Sequence, residues 1–388
     1  MENNVLFQKK YAALSDALNH KEGAYVPTLM CAGNGTIAWA GKKATEVLDD
    51  PQAYLSALTD VFAQMWVDGN MFSGAIIGNK MERGLKTIEN KYGPDGNTLE
   101  HVQLSPMGKD EYPLLIENPG RYVSEVMLPR KYPHLFESRE ATKTALKLFV
   151  EDRNYVLLQL SFMADQLMKE KYGIVPTMLN PQERIEPPLD MIFDYFRGFR
   201  GTLTDLRRQP ENVKAAMESL WAYRNEARHN TPYVHQDMKF PYHMAHIPSY
   251  LSPKQFEELF WPYHKKMIER VAAGGGKAYI LMEGRWEKIW HHFLELPKDS
   301  CILAVDDDDI FKASAELGHH QIICGGLKLA DTRLKTFDKI QDDVKRVIDT
   351  CAPGGGFIFC TDKAWIAPGD VNQSLIDAYN FAHEYSSK

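Results

Sequence analysis

The sequence lacks the signals that would take it out of the class of folded globular proteins. No stretch approaches the roughly 18 consecutive apolar residues a membrane-spanning helix needs, so no bilayer partner is expected. Residues 1–10 carry no apolar core ahead of a small-residue cleavage site, and a cytoplasmic location is the expectation. Cysteine is scarce: Cys31, Cys301, Cys324, Cys351 and Cys360 are odd in number and far apart, which argues against a disulfide framework and for reduced thiols. Basic charge is also short, with 45 Lys and Arg against 52 Asp and Glu, a formal net charge of -7. Without a basic field, nucleic acid falls away as a partner. The C-x-x-C, H-E-x-x-H, G-x-S-x-G and EF-hand patterns are absent.

What is present is ordinary globular material, 44% hydrophobic and 25% charged over 388 residues, arranged in a repeat of short apolar runs and helical segments. Helical spacing over 8–19 is followed by buried-strand patterns at 24–30, 65–76, 174–179, 240–247, 277–282, 301–305, 321–324 and 356–360. Between several of these lie helix-length segments, notably 53–66, 253–273, 310–317, 335–350 and 371–385. Strands alternating with crossover-length helices imply a parallel sheet, and eight such units close a (β/α)8 barrel. An open doubly wound sheet is the rival. It predicts a phosphate-binding glycine loop after an early strand, but Cys31-Ala-Gly-Asn-Gly-Thr-Ile-Ala38 lacks the G-x-G-x-x-G order. The expectation is α/β: one TIM barrel over 1–388, with an N-terminal helical extension and an irregular to helical inserted cap at 78–172.

In a barrel the chemistry sits on loops after the strand C-termini. The fourth run ends in Pro241-Tyr-His-Met-Ala-His246. Either one of His243 and His246 is a buried, hydrogen-bonded core residue and the other caps the next helix, or the pair orients substrate, moves protons or ligates a metal. The fifth ends in Met282-Glu-Gly-Arg285, where Glu283 and Arg285 are either a rim ion pair or an acid and a base facing a ligand. The sixth ends in Asp306-Asp-Asp-Asp309; the last two suit helix capping, leaving Asp306 to face the site. Cys324 and Cys360 end the last two strands as thiolate ligands or as buried free thiols. His291-His292 reads as a solvated or helix-terminal pair.

The landmarks Ser252-Pro-Lys-Gln-Phe-Glu-Glu-Leu-Phe-Trp-Pro262, Asp306, Gly325-Gly-Leu327 with Leu334, and Gly355-Gly-Phe-Ile-Phe359 resemble in their order the uroporphyrinogen decarboxylase superfamily, which includes cobamide-dependent methyltransferases. The resemblance spans most of the chain and is strongest from 241 to 385. It implies a single barrel with its site at the C-terminal mouth. Two departures narrow what else it implies. The decarboxylases hold an acidic tetrapyrrole with arginines after strand one, yet this chain has none before Arg83. The coenzyme M methyltransferases carry an H-x-C zinc pair after strand five, where Glu283 and Arg285 stand here.

Glu and Arg in place of thiol-activating zinc ligands point to oxygen chemistry. The chain therefore looks like the superfamily's methyltransferase branch that takes methyl groups from methoxylated aromatics and delivers them to cobalt(I) in the corrinoid of a partner protein. On that reading Glu283, His243, His246 and Asp306 are the catalytic candidates, and Arg285, Asn34, Tyr242 and Trp365 hold substrate. His243, Glu283, Cys324 and Cys360 are the set considered for a metal, with zinc the ion in view. A homodimer is compatible with the sequence. The alternatives are a decarboxylase or lyase of a small non-tetrapyrrole acid, a methyltransferase with another methyl donor, and a non-catalytic corrinoid-binding protein.

Overall fold

The computed structural model describes residues 2–73, 90–177 and 184–387. Its strands in chain order are β1 (Leu29–Ala32), β2 (Gly69–Ser73), β3 (Asn90–Tyr92), β4 (Leu99–His101), β5 (Val175–Pro176), β6 (Tyr242–Met244), β7 (Ala278–Met282), β8 (Cys301–Val305), β9 (Ile322–Leu327) and β10 (Phe357–Thr361). All but the antiparallel β3–β4 hairpin are parallel, in a three-stranded sheet ordered β1-β2-β5 and a five-stranded sheet ordered β10-β9-β8-β7-β6. The two sheets meet at both edges. Phe359 N donates to Pro27 O at 2.9 Å and Thr28 bridges Phe359 in parallel, while Phe240 N donates to Thr177 O at 2.9 Å.

A two-residue side-chain period explains how the strands are buried on both faces. Leu29, Cys31, Tyr279, Ile302, Ala304, Ile322, Cys324, Ile358 and Cys360 turn into one interior cluster that both sheets share. Their sequence neighbours Met30, Ile280, Leu303, Ile323, Phe357 and Phe359 face outward and pack beneath the helices. The helix Phe337–Cys351 supplies the matching stripe, burying Ile340, Val344, Val347, Ile348 and Cys351 at helical spacing. It lies close to β9 because Gly326, at φ +108°, has no side chain; a Cβ there would sit 2.6 Å from Val347 Cγ1.

The eight runs expected from sequence all contain a strand, with shifted bounds. The three N-terminal ones start later than expected. β1 begins only at Leu29, after Pro27, and β5 is limited to Val175–Pro176, because proline cannot donate to a ladder. β9 runs further, through both glycines to Leu327. The helical extension is Glu2–Leu18, tied down by the buried Lys10, whose Nζ donates to Val67 O at 2.8 Å and Tyr172 O at 3.0 Å. Of the expected insertion, 90–172 holds the β3–β4 hairpin and several helices, including the continuous run Arg139–Arg153, Asn154–Leu160 and Ser161–Tyr172. Its first part, 78–89, lies outside the described residues, as do the expected strand ends at 74–76 and 178–179.

Candidate active site

Parallel strands all end on one side, so the segments after β6, β7, β8 and β10 bring His246, Glu283, Asp306 and Lys363 to the same edge of the five-stranded sheet. A small pocket between the ends of β1, β6, β7 and β10 is lined by Cys31, Tyr242, His243, Met244, Tyr279, Leu281, Thr361 and Ala364, together with Asp362 and Lys363.

His243 is fully committed to the protein. Its Nε2 lies 2.7 Å from Asp190 Oδ2 and its Nδ1 lies 3.1 Å from His264 Nε2, with all three side chains buried. Burial, reinforced by the charge of His246, pulls the His243 pKa down to about 3. Burial likewise raises the Asp190 carboxyl, even though Ile247 N donates to its other oxygen at 2.9 Å. Both ring nitrogens of His243 therefore have protein partners while its side chain borders the pocket, so a role with a metal or a substrate proton would require one of these contacts to break.

His246 is held differently. Its Nδ1 donates to both oxygens of Asp194, at 3.0 and 2.9 Å, and its Nε2 faces Glu283 Oε1 at 3.5 Å. Burial alone would lower its pKa, but hydrogen bonds and charge from Asp194 and Glu283 outweigh it and hold the group up at about 11. His246 is therefore an imidazolium at neutral pH, with Nε2 at the exposed end of the clamp. The Asp194 carboxyl is raised, first by burial.

Asp306 is buried and anchored from two sides: Gly284 N donates to Oδ2 at 3.0 Å, and Lys363 Nζ donates to Oδ1. Lys328 joins the cluster, donating to the Asp306 carbonyl and standing 3.6 Å from Asp362 Oδ2. Asp306 thus serves first to tie the loops after β7 and β10 together.

The remaining expected residues are scattered. Arg285 points outward and is exposed, its positive charge acting on Asp308. Asn34 is wholly buried with Oδ1 unpartnered and Nδ2 donating to Asn97 O at 3.4 Å. Tyr242 lines the pocket beneath the Arg184 guanidinium, 5.4 Å from its ring centre. Trp365 is a core residue: no part of it is exposed, and its indole N–H donates to Thr361 Oγ1 at 3.0 Å. Cys324 and Cys360 lie in the interior beside Cys31 and Tyr279. Hydrogen bonding to Cys360, then burial, raises the Cys31 thiol well above its usual range. Cys31 alone would draw the Cys360 thiol down, but its contact with Cys324 and burial raise it as well. Protonated interior thiols are poor ligands. Among the described residues, His243, Glu283, Cys324 and Cys360 do not gather into a metal-ligand group.

Asp190 and Asp194, which orient the two histidines, and Lys363, which holds Asp306, have no place in the sequence reading. The available signal is spacing: Asp190 and Asp194 fall four residues apart, so two acids lie along one side of the helical run Pro188–Met191 and Ile192–Arg197.

Residues 191–362 match the uroporphyrinogen decarboxylase family. Comparison with curated proteins gives no match. Among solved structures, a methyltransferase from Methanosarcina mazei is similar, with a TM-score of 0.58, 14% sequence identity, and coverage of 97% of this chain and 98% of that one. The resemblance to the superfamily stands: the family match carries it over the central segment, and the structural likeness extends the shared fold over nearly the whole chain.

Proposed function

We propose that the eight parallel strands form one closed (β/α)8 barrel and that the chain is a methyltransferase acting at its mouth. The methyl donor is a methoxylated aromatic, and the acceptor is the corrinoid of a partner protein. The observation that carries this reading is the Asp194–His246–Glu283 clamp, which holds a charged N–H donor just past the C-terminal end of β6, the strand whose Tyr242 and Met244 line the apolar pocket.

The chemistry sets the requirement. Breaking an aryl ether C–O bond leaves its electron pair on a phenolate oxygen, a poor leaving group because phenol's pKa is about 10. A proton donor of similar pKa transfers with little driving force needed in either direction, and His246 at about 11 is near that match. Asp194 fixes the ring through Nδ1, so Nε2–H is the atom left to meet the ether oxygen. Glu283 is half-exposed and, staying beside the imidazolium, contributes with Asp194 to holding its pKa up. Tyr242, Tyr279, Met244 and Leu281 wall a cleft of only about 20 Å³, room for a single water, so an aromatic ring enters only as these walls part.

A reduced corrinoid supplies the nucleophile that takes the methyl group. A flat macrocycle on a docked protein needs an open apolar approach. Phe199 and Tyr250 fit it: both are exposed, their rings meet edge-on at 4.9 Å, and Tyr250 adjoins Ser249, which packs against Gly284. No step is assigned to zinc at His243, Glu283, Cys324 and Cys360, since those side chains do not converge.

The test is an anaerobic mixture of this chain, a reduced corrinoid protein and a panel of methoxybenzenes, read by the cobalt spectrum and by freed phenol. Stoichiometric methylcobalt and phenol support the reading. Turnover of thiols, amines or acids instead would sink it, with carbon dioxide release marking the decarboxylase alternative.

A further inference from the structure

We propose that Glu257, His291 and His292 form a binding site for one divalent transition-metal ion of the zinc class, sharing no residue with the His246 clamp. Glu257 lies on the helical turn Phe256–Phe260 that follows β6, and the histidines lie on the turn Trp290–Glu295 that follows β7. Their ligand atoms fall within 4.8 Å of one another. Rotation of the exposed Glu257 and His291 side chains closes that to the roughly 3.3 Å between ligands around a tetrahedral zinc.

His292 shows that the site is built. Its side chain is 9% exposed, and its Nδ1 donates to Glu295 Oε1 at 2.6 Å. Glu295 is itself held by Lys265 Nζ at 2.8 Å and the Trp261 indole N–H at 3.1 Å. With the proton on Nδ1, Nε2 carries a lone pair. That atom is buried without a hydrogen-bond partner, and it faces Glu257 Oε1 at 3.6 Å. Two lone-pair donors opposed in this way require a cation or a second proton between them. A carboxylate behind a histidine whose other nitrogen faces inward is the usual support of a metal-bound imidazole. His291, its ring 4.3 Å from that of His292, completes two imidazoles and one carboxylate, with exposed positions left for water. The ion would lock the turn after β7 to the helix after β6.

The rival is an imidazolium at His292 bridging Glu257 and Glu295, and it binds no metal. Titration of the chelator-treated chain with cobalt(II), read by its visible ligand-field bands and followed by zinc competition, separates the two. The expected result is one equivalent bound by the wild type and by E283Q, with binding at least about tenfold weaker in E257Q and in H291A. Both of the latter change exposed residues and leave folding intact, which keeps the test independent of any misfolding of a His292 variant. No binding by the wild type, binding undiminished in both variants, or binding lost in E283Q would overturn the assignment. None of these outcomes bears on methyl transfer.

Discussion

At the residue scale, two histidines three positions apart in sequence have opposite electrostatic fates. His243 is sunk among Asp190, His264 and Phe260, where no water offsets the cost of charging it. His246 reaches the mouth between two carboxylates and stays charged. Since the proposed proton donor has its pKa raised to about 11, activity should hold level from neutral pH upward and fall only as pH approaches that value. A profile of initial rate against pH checks this, and a decline centred near 6.5, the unperturbed histidine value, would contradict it. The same shift contributes stability that is complete below pH 6.5 and is lost as pH rises through about 11. Asp190→Ala should act on stability instead. It strips His243 Nε2 and Ile247 N of their acceptor and should cost about 3 kcal/mol in denaturant unfolding. Glu283 and His246 are readable from sequence because each follows an apolar run that names it as a strand end. Asp190 and Asp194 are not, since a carboxylate on a helix ordinarily signals only a solvated face.

At the element scale, the five C-terminal strands were open to sequence reading because each is a compact apolar run bounded by glycines or a helix. The N-terminal ones are blurred by Pro27 and Pro176, and the first two acquire most of their ladder bonds from partners distant in sequence. The turn entering β10 depends on glycine for a reason the sequence cannot display. Gly355 has φ +79° and lies against the backbone where the N-terminal helix ends, so an added Cβ would come within 2.5 Å of Lys21 N. Gly354, at φ +85°, has open space around it. Gly355→Ala should therefore lower the melting temperature clearly more than Gly354→Ala, which bears only the backbone strain of about 1 kcal/mol. Equal effects in thermal melts would mean that the N-terminal helix can shift aside.

At the scale of the whole molecule, the chain ends on a helix, Gln373–Ser386, that closes over the first strands. Its His383 ring stacks on Trp66 at 3.6 Å and meets Tyr25 edge-on at 4.4 Å. Burial first, then Lys9 and Lys10, lower its pKa to about 4. Between pH 6.5 and 4 the unfolded chain binds this proton and the folded chain does not, so the His383 contribution to stability is lost as pH falls through that window. His383→Phe should keep the stacking and flatten part of the acid limb of stability against pH; an unchanged limb would exclude His383 as a cause. The α/β alternation and the parallel strands are legible because period and alternation are properties of one chain in isolation. The site is less so, because the clamp joins the segment after β5 to those after β6 and β7. Among the described residues no helix is long and apolar enough to cross a membrane.

The most direct test of the proposed chemistry compares wild type and His246→Gln on a series of aryl methyl ethers whose phenols span several units of pKa, with a reduced corrinoid protein as acceptor. If His246 protonates the departing oxygen, the variant should lose roughly 10²–10⁴-fold in rate on ethers of weakly acidic phenols and far less on nitrophenyl ethers. Its dependence on leaving-group pKa should accordingly be much steeper than that of the wild type. A parallel drop across the whole series, or no drop at all, would contradict the account.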